Sequence, residues 1–120
     1  MGEPKVLIVS TDPFIGALLG LLAELHGCSV AFDDGHESPR AAVRHHRPEL
    51  LLVDVDHRDG ASGAFLGDMR KAGIKVILYG PRQTPPRVRA RAEECALPWL
   101  ALPVGHQEFS QTLRETLAAA

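Results

Sequence analysis

The chain has 120 residues, of which 45% are hydrophobic and 23% charged, with a formal net charge of -2: the length and balance of one soluble domain around a single core. Only 5% of the residues are aromatic, so the chain lacks both the basic footprint and the stacking side chains of a nucleic-acid binder. The most apolar stretch, Phe14 to Leu25, is shorter than the about 20 residues of a bilayer span, so no membrane role is expected. Cys28 and Cys95 are far apart and form no CxxC pair. With no signal peptide ahead of them, they read as buried small hydrophobes of a reducing compartment, the cytoplasm.

The first element, Lys5 to Val9, is a short β-branched apolar run of the kind found in a parallel strand covered on both faces. Asp12 offers a carboxylate to free amides and Pro13 the preset φ of a first helical position, so a helix starts there and runs to about His26, stopped by Gly27. Phe14, Leu18, Leu22 and Leu25 read as the apolar stripe of this buried helix. Gly16 and Gly20, four residues apart, clear one face for close packing on the sheet at a helix-propensity cost of roughly 1 kcal/mol each. Cys28 to Phe32 is a second strand, followed by the turn Asp33-Asp34-Gly35 and a helix from Ser38-Pro39 through about His46.

Leu50 to Val53, the most apolar run, is the expected central strand and ends at Asp54. A loop rich in Asp and Gly leads to a helix over about Ala61 to Lys71, stopped at Ala72-Gly73. Ile74 to Tyr79 is a fourth strand, followed by Gly80-Pro81. Thr84-Pro85-Pro86 caps a helix through about Cys95. Trp99 to Leu102 is a fifth strand, and Glu108 to Leu117 a last helix with Phe109, Leu113 and Leu117 on one face. The tail Leu117 to Ala120 reads as a domain edge or a truncated linker.

Strict βα alternation demands right-handed crossovers and a parallel sheet between two helical layers, so the fold class is a flavodoxin-like α/β domain of five βα units over residues 1–120. In such a sheet the functional crevice lies beyond the carboxyl ends of the strands. Those ends carry Ser10, Thr11, Asp54, Asp56, Gly80, Pro81, Leu102 and Pro103. No GxGxxG or GxxxxGK[ST] follows any strand, so neither a dinucleotide nor a Walker loop is present. Asp56, His57 and Asp59 read as a hydrated loop, and the adjacent His45 and His46 diverge by about 100° on a helix, which is no chelating pair. Ser10 has no partner base that would make it a nucleophile.

Five βα units, the segment Pro48-Glu-Leu-Leu-Leu-Val-Asp54 and the step Trp99-Leu-Ala-Leu-Pro103 resemble the receiver domain of bacterial two-component response regulators, over the whole chain. The resemblance implies that Asp54 occupies the phosphoacceptor position. It also implies an acidic Mg²⁺-holding pair at the end of the first strand, a hydroxyl residue at the end of the fourth and a lysine at the end of the fifth. Here those positions hold Ser10 and Thr11, Gly80, and Leu102. A cation there would have to draw on Asp54 and Asp56, with Asp12 beyond the usual pair, and no other cofactor is expected. Leu102-Pro103 matches a step that is usually cis in receivers, and Trp99 matches their aromatic switch residue. With Gly80 in the hydroxyl position nothing pulls on Trp99, which is expected to keep one orientation on a fixed surface built from the fourth helix, fifth strand and fifth helix, with Arg87 and Arg91.

The expected function is thus that of a pseudo-receiver: a non-enzymatic module contacting another signalling protein or an attached output domain, with a homodimer also open to it. Two alternatives stand beside it. One is a receiver still phosphorylated on Asp54; the other, of a different class, is a flavodoxin-like domain that binds a small molecule in the strand-end crevice.

Overall fold

The computed structural model describes residues 2–33, 35 and 37–119. Asp34 of the expected turn and Ala120 of the tail lie outside the described residues. Strands and helices alternate throughout: β1 (Lys5–Val9), α1 (Pro13–Leu25), β2 (Ser29–Phe32), α2 (Pro39–His46), β3 (Leu50–Asp54), α3 (Gly63–Lys71), β4 (Lys75–Pro81), α4 (Pro86–Glu94), β5 (Trp99–Leu102) and α5 (His106–Ala118). All strand pairs are parallel and the order across the sheet is β2-β1-β3-β4-β5. The uninterrupted apolar run of β3 takes the centre, where all five residues are buried between helices on both faces of the sheet.

Alternate residues of each strand feed opposite cores. One face carries Ile8, Leu52 and Ile77 against Leu19 and Ala23 of α1 and Phe109 and Leu113 of α5. The other carries Val9, Leu51, Val53 and Leu78 against Ala42 of α2, Phe65 and Met69 of α3 and Ala92 of α4. Among the described residues no helix is long and apolar enough to cross a membrane.

Local signals place most helix starts. The Asp12 carboxylate accepts from Phe14 N at 2.9 Å, Ser38 Oγ from Ala41 N and Ser62 Oγ from Phe65 N, each satisfying an orphan amide of a first turn. Gly27, with φ +84°, lets the chain leave α1. The fourth helix differs from expectation: Pro85 is its N-cap without a side-chain cap, and Thr84 Oγ1 instead donates to Pro81 O at 2.6 Å. Strand β4 also runs on through Gly80 and Pro81, which pair with Ala101 and Leu102. Cys28 is buried, and burial, with Glu3 and Glu49 adding, raises its thiol; Cys95 is only half-buried, since it caps the end of α4.

Of the apolar stripe expected to bury α1, Leu22 packs against the core as a partly buried residue, but the other three residues face water. Phe14, Leu18 and Leu25 are exposed, as is Leu21, whereas Gly16, Leu19, Gly20 and Ala23 face the sheet. Close approach explains the inversion. A Cβ on Gly16 would stand 3.1 Å from Ser10 Cβ, and one on Gly20 would stand 2.6 Å from Phe32 Cζ. The small face lets the backbone approach the strands, with Leu19 filling the core between them, while Phe14, Leu18, Leu21 and Leu25 are left on the outside.

Candidate functional site

The sheet brings Ser10, Thr11, Asp54, Gly80 and Leu102 to one end, at the carboxyl termini of β1, β3, β4 and β5. Asp54 is 8% exposed and its carboxylate is already engaged. Oδ2 accepts from Thr11 Oγ1 at 2.6 Å and from Thr11 N at 3.3 Å, while Oδ1 accepts from Asp56 N at 2.9 Å. Such charge-assisted bonds hold a buried carboxylate that would otherwise be costly.

The neighbouring groups are likewise turned on the chain itself. Ser10 Oγ donates to Asp12 O and accepts from Asp12 N, and the Asp12 carboxylate caps α1. His57 Nδ1 accepts from Gly60 N, so its neighbours Asp56 and Asp59 belong to a loop folded on its own backbone. At the end of β4, Arg82 donates to Pro103 O and lies 3.9 Å from Glu108. The Leu102-Pro103 bond is cis, and Leu102 packs against the core that holds Phe109 and Leu113.

A Mg²⁺ of the kind receivers hold does not fit this donor set. Positions 10 and 11 offer hydroxyls turned to Asp12 and Asp54 in place of carboxylates, which among the described residues leaves Asp54 the one buried carboxylate. Mg²⁺ demands oxygen ligands in near-ideal octahedral geometry, and Asp56 brings a second carboxylate only from an exposed loop. Among the described residues, three metal-ligating side chains converge elsewhere, at Glu37, His45 and His46. The two histidines do not diverge as helical spacing suggests: their rings stack at 4.4 Å between centroids, with His45 Nδ1 3.5 Å from Glu37. Side-chain torsions swing the rings together at the last turn of α2, beyond what Cα directions convey. Near-parallel rings aim their nitrogen lone pairs side by side rather than at one point.

Gly80 and Trp99 form the second half of the site. A Cβ at Gly80 would lie 2.8 Å from Trp99 Cη2, 2.8 Å from Val55 Cγ1 and 3.1 Å from Thr84 Oγ1. The indole thus fills the space that a side chain at position 80 needs. Arg89 lies over the outer side of the ring, 5.9 Å from its centroid, a cation–π distance. Arg87 is exposed on α4. Arg91 donates to Ala61 O at 2.9 Å, tying α4 to the loop before α3, so its guanidinium is engaged within the chain. Helical spacing points Arg89 away from the face shared by Arg87 and Arg91, and only the fold sets it against Trp99.

Tyr79, paired with Asp54 across β3 and β4, is a further residue that sequence reasoning missed. Its ring is 1% exposed and its hydroxyl meets no partner among the described residues; Ser10, which stands beside it, is occupied with Asp12 at both donor and acceptor. Burial, with the Asp54 and Asp12 carboxylates adding and Ser10 opposing, pushes the phenol above its ordinary value of 10.0. Unfolding releases this proton more easily, so the stability Tyr79 contributes is complete below about pH 10 and is lost as the pH rises further. Tyr79→Phe should remove that alkaline loss without weakening the fold at neutral pH, because the orphaned hydroxyl disappears with it. Urea melts at pH 7 and above pH 10 check this; an unchanged alkaline slope would show that Tyr79 does not set it.

No family model matches the chain, and no curated protein matches it either. Solved structures do. A response regulator receiver protein from Burkholderia phymatum superposes with a TM-score of 0.80 at 20% identity, covering 98% of each chain. The chemotaxis protein CheY4 of Vibrio cholerae gives 0.75 at 20% identity, over 96% of this chain and 99% of that one. The signal receiver domain of a modulated diguanylate cyclase from Desulfovibrio desulfuricans gives 0.76 at 23%, over 96% and 94%. The sheet order, the five helices and the strand-end placement of Asp54 define the chain as a flavodoxin-like domain. Within that class its fold is that of the response-regulator receiver.

Proposed function

We propose that the chain is a receiver-fold signalling module that acts by protein–protein contact and is not phosphorylated. The observation that carries this reading is what surrounds Asp54: its carboxylate accepts from Thr11 and the Asp56 amide, and the strand ends beside it carry Gly80 and Leu102. Phosphoryl transfer rests on positioning and on electrostatic stabilisation by metal and cationic groups. A phosphorylated aspartate would bring charge of about -1.5 to -2 into a crevice walled by Thr11, Gly80 and Leu102. The hydroxyl and the lysine that would receive it in a receiver are here Gly80 and Leu102. The contact surface is the face of α4, β5 and α5, where the Trp99 indole is wedged against Gly80 with Arg89 over its ring, and where Arg87 stands exposed on α4. The partner is another signalling protein or an output domain on the same polypeptide, and the setting is the cytoplasm.

Beryllium fluoride with Mg²⁺ tests the reading through the ¹H–¹⁵N amide spectrum. The expected result is an unchanged spectrum at Thr11, Asp54, Asp56 and Gly80. Saturable shifts at those amides, abolished by Asp54→Ala, would overturn it in favour of a phosphorylatable receiver.

A further inference from the structure

The outward face of α1 carries Phe14, Leu18, Leu21 and Leu25, which are 77%, 48%, 54% and 66% exposed. Single exposed leucines require no explanation. Here four large apolar residues follow one another at spacings of four, three and four, the narrow seam along which helices pair, on the side where a sheet-packed helix ordinarily turns polar residues to water. The seam lies directly opposite Gly16, Gly20 and Ala23, which face the sheet.

We propose that this seam is a homodimer interface in which two copies of the chain pair α1 against α1, antiparallel, about a two-fold axis between Leu18 and Leu21. Three features select a second copy over other occupants. The spacing reads the same in both directions, so a two-fold sets Phe14 against the partner's Leu25 and Leu18 against the partner's Leu21, the self-complementarity that a closed C₂ interface requires. The seam contains no charge: Glu24 is the sole charged residue of α1 and lies off it. Two copies therefore meet without like-charge repulsion, and antiparallel pairing sets opposite helix-dipole ends side by side. Finally, the four side chains expose on the order of 500 Å² per chain, so that a pair covers about 1,000 Å², the lower bound of a specific interface. The surface is separate from the Trp99 face of the proposed function, which does not depend on it.

Sedimentation velocity of the whole chain, from micromolar to millimolar concentration, tests the pairing. The expected result is a reversible dimer with no larger species. Leu21→Glu should yield monomer at concentrations where the wild type is dimeric, and should melt like the wild type at dilutions where both are monomeric, because the side chain is exposed in the single chain. Adding Leu18→Lys to Leu21→Glu should restore the dimer, since antiparallel pairing sets each lysine opposite a glutamate. Trp99→Ala should leave dimerisation intact. A wild-type chain that stays monomeric throughout, including one that instead binds phosphatidylcholine vesicles, would overturn the proposal. So would a dimer that survives Leu21→Glu, or a double variant that fails to recover.

Discussion

Replacing Gly80 with threonine should destabilise the domain by about 1–3 kcal/mol, the usual cost of overfilling a packed site, and should move the fluorescence of Trp99 to longer wavelength. The new Cβ would fall 2.8 Å from both Trp99 Cη2 and Val55 Cγ1, closer than real Cβ contacts come. Val55 is 5% exposed and its amide is tied to Tyr79 O, so it has little room to give. Trp99 lies on the edge strand β5 and is half-buried, and the ring therefore yields, swinging toward water. Because it is the one tryptophan in the chain, its emission reports the movement without a label. Gly80→Ala should show the same shift in weaker form. An unchanged spectrum and melting temperature for Gly80→Thr would show that the indole does not occupy the space beside Gly80, and the fixed contact face would lose its basis.

The second large effect is expected at Thr11. Thr11→Val keeps the shape of the side chain but removes the hydroxyl that donates to Asp54 Oδ2 at 2.6 Å. A largely desolvated carboxylate then keeps only backbone donors, and the loss should be about 1–2 kcal/mol, within the range for leaving a buried acceptor short of a partner. Thr11→Ser retains the donor and should recover most of the stability. In a double-mutant cycle by urea unfolding, Asp54→Asn should reduce the cost of Thr11→Val, because the group that needs the hydroxyl is no longer charged. Thr11→Val with wild-type stability would mean that the hydroxyl does not hold Asp54.

The strand framework was legible because a parallel sheet covered on both faces leaves an uninterrupted apolar run, and Leu50 to Val53 has no other use. Asp54 was legible for the same reason, as the first polar residue where that run leaves the sheet. Its partnership with Thr11 was not: the two residues are 43 positions apart, and only the adjacency of β1 and β3 brings them together. In α1 the glycines mark the sheet side correctly, while the apolar stripe misplaces Phe14, Leu18 and Leu25. Leucines occur on every side of it, so apolar periodicity does not select a face, while the pair Gly16 and Gly20 marked the packed side by the lack of a side chain. The stacked His45 and His46 were hidden because Cα spacing fixes where a side chain begins, not where its ring ends.

The close seat of α1 on the sheet reverses what a substitution map of this helix would record. In an ordinary amphipathic helix the bulky apolar positions are the intolerant ones. Here the constrained positions are those with almost nothing to lose: a Cβ on Gly16 would press on Ser10 at 3.1 Å, and one on Gly20 would force the exposed Phe32 ring aside. Within a single chain, Phe14, Leu18, Leu21 and Leu25 can be exchanged with little effect on folding. Tolerance in a folding assay combined with intolerance in an assembly assay, on opposite sides of one helix, would separate what this sequence devotes to its own structure from what it devotes to meeting another molecule.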